Sequence, residues 1–454
     1  MAQKSVFLTV ALSMSCVLSM SSLVGTSYAQ EWAGFRGPQG SGVQKAAKGL
    51  PAEFGEKKNL VWKFKMPGPG ASCPIVVGDR VFVTCWTGYG TEGANSGKKE
   101  DLKRHLVCVD LSSGQEKWRS TVDAVLPEDT YASMMLEHGF ASHTPVSDGK
   151  QVFAFFGKSG VYAYDLDGKE LWNKSVGTKL NQRRWGSACS PILHKDLLIV
   201  LASAENDSLV ALNKKDGKVA WEQNYQAFSG NWSTPLMAKV DDKKSDLVVA
   251  VSDEVWGLNP QNGKLRWYVS TEGGGGGFGR GQTISSSFAY DGETIVHVGG
   301  RSGKSTAFKA GGSDDIEKSH VVWSNGSTGG HSSPVLHDGL VYSVARRVLN
   351  CMDAKSGEKI YQERLPTVKR EGASSGGGRR RGGDDYASPV IGDGKLFYVT
   401  RKGDIHVFQV GREAKLLASN RFEGDNGDFS ATPAITKDRI LIRSSNYLYC
   451  VGTK

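Results

Sequence analysis

One pattern limits what this chain can fold into. Two small residues, a proline and an apolar residue recur along its length: Ser72-Cys73-Pro74-Ile75, His143-Thr144-Pro145-Val146, Cys189-Ser190-Pro191-Ile192, Ser233-Thr234-Pro235-Leu236, Ser332-Ser333-Pro334-Val335, Ala387-Ser388-Pro389-Val390 and Ala431-Thr432-Pro433-Ala434. An eighth copy, Ser285-Ser286-Ser287-Phe288, has Phe in place of Pro. Successive copies are 71, 46, 44, 53, 46, 55 and 44 residues apart. A period in this range marks repeated supersecondary units. Proline is tolerated at the first residue of a strand. Most copies run into a tight turn and an apolar strand, as in Asp148-Gly149 before Val152-Phe153-Ala154-Phe155 and Asp393-Gly394 before Leu396-Phe397-Tyr398-Val399. Asp-Gly between β-branched and aromatic runs is a hairpin signal.

A second half-unit follows each first. It ends in a glycine with a tryptophan four residues later: Gly114/Trp118, Gly168/Trp172, Gly217/Trp221 and Gly263/Trp267, with Gly357/Tyr361 a near match. Trp323 ends a copy stretched by the insert Gly311 to Ser319, and the copy around Gly411 has lost its aromatic residue. The eighth copy, Tyr447-Leu448-Tyr449-Cys450, stops at Lys454 before a Trp, whereas Leu60-Val61-Trp62-Lys63-Phe64 precedes the first proline motif. The two ends therefore complete one unit. Pairing them closes the array and removes exposed sheet edges. The expected fold is all-β, an eight-bladed β-propeller closed by pairing of its N-terminal and C-terminal strands, over residues 55–454. An open β-solenoid is the alternative, but it calls for polar caps rather than a split final repeat.

These units resemble the PQQ-like β-propeller repeat family. The resemblance rests on the Ser-x-Pro strand starts and on stretches such as Gly160-Val161-Tyr162-Ala163-Tyr164-Asp165 followed by Gly168 and Trp172. Trp32-Ala33-Gly34-Phe35-Arg36-Gly37-Pro38 also looks like the opening of exported members, especially those of planctomycete-type bacteria. The resemblance implies two functional branches: quinoprotein dehydrogenases that bind PQQ and calcium, and cofactor-free scaffolds such as the propeller lipoprotein of the outer-membrane β-barrel assembly machinery. Shared fold does not choose between them.

The residues favour the second branch. The dehydrogenases that the repeat resembles carry adjacent cysteines against the quinone, and this sequence has none. Calcium needs several oxygen ligands, and neither Gly383-Asp384-Asp385 nor Asp425-Asn426-Gly427-Asp428 has calcium-loop spacing. The expectation is a non-enzymatic binding or assembly scaffold, without cofactor or metal, and a PQQ-dependent oxidoreductase is the alternative. Aligned half-units put Cys108, Ala163, Ala211, Gly257, Ala307, Cys351, Val407 and Cys450 at one position that wants a small apolar residue. A free cysteine packs as one. Cys73–Cys85 is the best remaining disulfide candidate.

Residues 1–29 have a secretory signal's form: a single charge at Lys4, an apolar stretch from Val6 to Val24, and Ser27-Tyr28-Ala29 before a cleavage point. A retained membrane anchor or a lipoprotein at Cys16 are the alternatives. Residues 30–54 form an N-terminal extension. The mature chain is expected to be an exported monomer of the periplasm or the medium, without a transmembrane segment.

Segments just before each proline motif occupy equivalent places in every blade and should gather at one mouth of the ring. Three residues back from each Pro or its substitute stand Ala71, Ser142, Ala188, Trp232, Ser285, His331, Tyr386 and Ser430. These vary where the core positions repeat. The expected ligand- or partner-binding residues are Arg183, Arg184, Trp185, Asn231, Trp232, Arg280, His331, Asp385, Tyr386 and Asp428, facing an envelope protein or an anionic glycan; an ordinary solvated rim around a water-filled channel is the alternative. The inserts Gly88 to Arg104, Glu272 to Gln282 and Lys369 to Asp385, the last with Arg379-Arg380-Arg381 among glycines, should be mobile because they have little apolar surface to bury. An Arg-Gly run can bind nucleic acid, but an exported protein rarely meets it, and none is expected as a partner.

Overall fold

The hairpin signals become eight antiparallel sheets in the computed structural model, which describes residues 32–93, 96–180, 184–271, 284–299, 304–326, 329–368 and 385–453. Blade 1 is the meander Ile75–Val77, Arg80–Thr87, Lys103–Asp110 and Glu116–Asp123. The inner strands of blades 2 to 8 open at Val146, Ile192, Leu236, Ala289, Val335, Val390 and Ala434. Blade 8 takes its outer strand, Leu60–Lys65, from the other end of the chain. That strand pairs antiparallel with Tyr447–Val451 and sets Trp62 opposite Cys450. The fold is an eight-bladed β-propeller closed by its two ends. Its apolar layers lie between neighbouring blades, as where Phe153 and Phe155 of blade 2 share a cluster with Leu198 and Val200 of blade 3. The axis is left to polar groups.

The repeated small residue has a steric cause. Cys108, Ala163, Ala211, Gly257, Ala307 and Cys450 each stand directly opposite the outer-strand tryptophan of their own blade. A larger side chain there would contest the space of the indole. The Gly/Trp pairing acts one blade further on. Trp62, Trp118, Trp172, Trp221 and Trp323 donate their indole N–H groups to the carbonyls of Leu111, Leu166, Lys214, Pro260 and Ala354 in the next blade, at 2.8–3.0 Å. Each ring lies on that blade's turn glycine: a Cβ on Gly217, whose φ is +68°, would come within 2.5 Å of Trp172. The glycine is required twice, by the left-handed turn and by the approach of the indole.

Trp267 departs from this scheme. Residues Asp314–Asp315, inside the long insert, add a parallel fifth strand beside Trp267 and Tyr268. Trp267 is instead fully buried and donates to Asp246 of its own blade at 2.7 Å.

The residue before each proline has a second task. The N–H of Cys73 donates to Thr144 Oγ1, Thr144 N–H to Ser190 Oγ, Ser190 N–H to Thr234 Oγ1, and so on through Ser287, Ser333, Ser388 and Thr432, whose N–H returns to Cys73 Sγ. The eight contacts span 2.9–3.2 Å and form a closed belt around the axis, one link per blade. A small side chain with an acceptor atom is needed at every station, which accounts for the Ser/Thr bias of the motif. All six cysteines of the described chain are free. The candidate Cys73–Cys85 bridge is absent: Cys73 is a station of the belt, and Cys85 packs in an apolar layer with Trp62 and Val83.

The N-terminal extension is not separate from the ring. Trp32 and Ala33 accept hydrogen bonds from Val76 of blade 1 and Ser147 of blade 2. Arg36 donates to the carbonyls of Phe288 and Pro334, entering blades 5 and 6. Val43–Gln44 pairs with Ile391 and Gly392 of blade 7, and Lys48 N–H reaches Lys437 of blade 8 at 2.7 Å. The segment thus crosses one whole face. Arg36 is almost fully enclosed, and burial draws its pKa down to about 10, so it stays charged at neutral pH. The insert Gly88 to Arg104 is also less open than its composition suggests. Tyr89 and Leu102 are buried with Trp86 and Phe140, which supply the apolar surface that was missing from the count. The expected signal and most of the other two inserts lie outside the described residues.

Candidate functional site

A cup of about 540 Å³ opens on the axis at the face opposite the N-terminal segment. All eight residues three places before the motif prolines line it, as do all eight stations of the belt. Phe35 borders both this cup and a wider, 990 Å³ space under the N-terminal segment on the other face. It therefore stands on the axis between them and makes the cup one-ended. The water-filled through-channel weighed from sequence is interrupted there.

Aromatic rings form part of the wall. Trp185 and Trp232 pack with centroids 5.7 Å apart, and His331 and Tyr386 with centroids 5.1 Å apart. Trp232 Nε1 is buried without a hydrogen-bond acceptor. Ser285 Oγ lies 2.8 Å from His331 Nδ1. The segment between blades 1 and 2 carries a short helix, Met135–His138, that reaches over the rim. Its Glu137 carboxylate pairs with Arg401 and accepts a hydrogen bond from Tyr386 OH at 3.3 Å. Beneath the helix the segment is rooted by a buried ion cluster: Arg104 meets Glu128 at 2.5 Å, and Lys158 meets Asp129 at 2.5 Å and Glu128 at 3.4 Å. Losing one member would leave a buried charge without its partner, which is strongly destabilising.

The sequence-predicted residues divide by depth. Trp185, Trp232, His331 and Tyr386 line the cup. Arg184 is exposed beside Trp185 and does not line it. Asn231 is buried behind the wall, where it donates to Ala250 and accepts from Ser233 N–H at 2.8 Å; its role is structural. Asp385 accepts from Arg401 N–H at 2.8 Å, and Asp428 pairs with the Arg401 guanidinium, which lies over the Tyr386 ring. These carboxylates fix Arg401 rather than lining the cup. Arg183 and Arg280 lie outside the described residues. Among the described residues no Lys or Arg lines the cup, and Glu137 is its one carboxylate. Phe35, Glu137 and Arg401 were not foreseen; only the belt had a sequence signal, the motif itself.

Burial keeps several histidines neutral. His138 is lowered in this way and bridges Ser142 Oγ (2.9 Å) and the Trp185 carbonyl (2.7 Å). His143 is drawn to about 3, and His105, His297 and His406 to about 4, each mainly by burial. A histidine with a depressed folded pKa contributes stability in full above its unfolded value near 6.5, and this is lost as pH falls. Buried Glu205, raised by burial, has the opposite sign. With these five histidines against one raised carboxyl, the melting temperature should drop steadily from pH 6.5 towards 4. Thermal melts across that range check it, and His143→Gln should flatten the slope.

Among the described residues no helix is long and apolar enough to cross a membrane. The family profile described as outer membrane protein assembly factor BamB matches residues 102–363, more than half of the chain. A polyvinylalcohol dehydrogenase from a Pseudomonas species is 22% identical over an alignment of 377 positions that covers 62% of this chain and 58% of that protein. The chain thus spans well under two thirds of that relative. Among solved structures, BamB from Moraxella catarrhalis superposes with a TM-score of 0.58 at 10% identity, covering 87% of this chain and 99% of that one. The computationally designed protein Ika8 gives 0.54 at 13% identity, covering 87% and 100%.

Proposed function

The chain belongs to the family described as outer membrane protein assembly factor BamB, the PQQ-like propellers, and we propose that it is an exported, non-enzymatic scaffold of the cell envelope whose cup-bearing face receives its partner. The observation that carries this reading is the asymmetry of the two faces. The N-terminal segment runs across one of them from blade 1 to blade 8. The other gathers residues that vary between blades around a one-ended, aromatic-walled cup. Concave sites with aromatic walls and a few convergent polar groups are the usual places for ligands, and central aromatic residues are the usual anchors of interfaces.

The quinone and calcium of the family's dehydrogenase branch do not fit the described wall. Calcium takes about six to eight oxygen ligands. Among the described residues no group of three or more His, Cys, Asp or Glu is disposed to hold a metal, and Glu137 is already paired with Arg401. Among the described residues no Lys or Arg lines the cup to meet the carboxylates of the quinone. The likeness to a polyvinylalcohol dehydrogenase favours the alternative of a PQQ-dependent oxidoreductase. Purified protein mixed with PQQ and calcium distinguishes the two: the scaffold reading expects no co-eluting quinone absorbance, and dye reduction by alcohols would contradict it.

The face itself is tested by paired variants. Trp232→Ala should weaken recovery of the envelope partner with little change in melting temperature, because Trp232 lines a cavity rather than a blade core. Arg184→Ala, exposed at the rim, should do so more mildly. Normal recovery by both variants in an envelope pull-down would show that the partner docks elsewhere.

A further inference from the structure

We propose that the cup seats an uncharged sugar ring, either a free saccharide or the sugar end of an envelope glycan. This rests on the reading of the cup face as the functional surface and adds the chemistry of what enters it.

The floor is unusually rich in hydrogen-bond donors. Seven of the eight belt stations are Ser or Thr, and each oxygen accepts a neighbour's N–H. A hydroxyl that accepts still has its own hydrogen to give. The hydroxyls of Thr144 and Thr432 turn to the Cys73 sulfur, and those of the other five stations, which also border the cup, keep a hydrogen to give. The buried Trp232 N–H adds a sixth unused donor. Buried donors without acceptors are costly, so the cup wants an occupant rich in acceptor oxygens.

Charge and shape narrow the class. A cation would suit the aromatic walls, but the floor hydroxyls whose oxygens already accept backbone N–H groups offer it mainly their hydrogens. An anion would suit the floor, but among the described residues no Lys or Arg lines the cup. Arg401 alone stands against Glu137 and Asp428, its ion-pair partners, and Asp385 beside them. An uncharged polyol meets both demands. Its hydroxyl oxygens accept from the belt, and the C–H face of a pyranose lies against the Trp185–Trp232 or His331–Tyr386 rings. The Ser142–His138 and Ser285–His331 pairs supply further partners for sugar hydroxyls. A volume of about 540 Å³ lies in the range of small-molecule sites and admits one or two sugar rings.

The test is saturation-transfer NMR on the full mature chain. The probes are methyl glycosides of glucose, galactose, mannose and N-acetylglucosamine, the methyl glycoside of galacturonic acid as its carboxylate, and purified envelope polysaccharide. At least one neutral glycoside, or the polysaccharide, should receive saturation, and the uronic acid should not. Trp232→Ala should weaken the bound probe roughly tenfold, as expected for losing one aromatic stacking partner, while Trp232→Phe retains most of the binding. Transfer to the polysaccharide alone would place the sugar on a glycan; transfer to a glycoside would allow a free saccharide. No transfer from any neutral probe, or transfer to the uronic acid alone, overturns the inference. If sugars fail while Trp232→Ala still abolishes partner recovery, only the sugar assignment falls. If Trp232→Ala changes neither, the functional face falls with it.

Discussion

Removing residues 1–64 should leave a chain that no longer folds to a soluble monomer. The deletion takes away the strand Leu60–Lys65, so Tyr447–Val451 becomes an open edge of blade 8. It also removes Trp62, whose indole locks blade 8 to blade 1 through the Leu111 carbonyl. An unprotected edge of this length is a template for aggregation. A shorter deletion, residues 1–50, separates the two contributions of the N-terminal region. It keeps the closing strand but loses Phe35 from the axis and Arg36 from the carbonyls of Phe288 and Pro334. That variant should remain monomeric, melt at lower temperature and have a cup open at both ends. Size-exclusion chromatography and thermal melts on both deletions check this. A soluble, monomeric 1–64 deletion with an unchanged melting temperature would contradict closure through the two ends.

Trp221→Ala should destabilise by roughly 3–5 kcal/mol, the range for truncating a buried aromatic residue. Its ring lies on the Gly263 turn of blade 4 and its N–H reaches the Pro260 carbonyl at 3.0 Å. Truncation therefore empties a space between two blades and leaves that carbonyl without its partner. The side chain is remote from the cup, so partner binding below the melting transition should be unaffected. Trp232→Ala is the converse case. Chemical denaturation of both variants measures the contrast, and equal loss of stability would mean that Trp232 is a packing residue and not a cup residue.

Repeated features were legible in the sequence because every blade solves the same packing problem. The small residue opposite each indole, the glycine beneath it and the split eighth unit all follow from one register, so eight imperfect copies reinforce each other. The eight cup positions were legible by the same alignment: counting back from each proline finds the residues that reach the axis. Features that occur once were not. Arg36 reaches blades 5 and 6 over separations of 252 and 298 residues, Phe35 borders the cup from the N-terminal segment, and no local pattern announces either. Trp267 fits the motif but turns inward, because Asp314–Asp315 fills the outer edge of its sheet. Asn231 sits beside Trp232 in sequence, yet one faces the packed interior and the other the cup. Adjacent positions in an extended segment point to opposite sides, so proximity to a site residue is weak evidence of shared function. The belt was visible as a pattern but not as hydrogen bonds, because its links join residues 44 to 71 positions apart, and 359 apart at the closure.

Photo-crosslinking from the two faces tests the central claim most directly. A photoreactive residue placed at Arg184, exposed on the rim of the cup, and another at Asp338, exposed on the face that carries the N-terminal segment, interrogate opposite ends of the same axis. The account predicts a discrete crosslinked partner in the envelope from position 184 and none from position 338. Crosslinking from position 338 alone, or equally from both, would contradict the assignment of function to the cup.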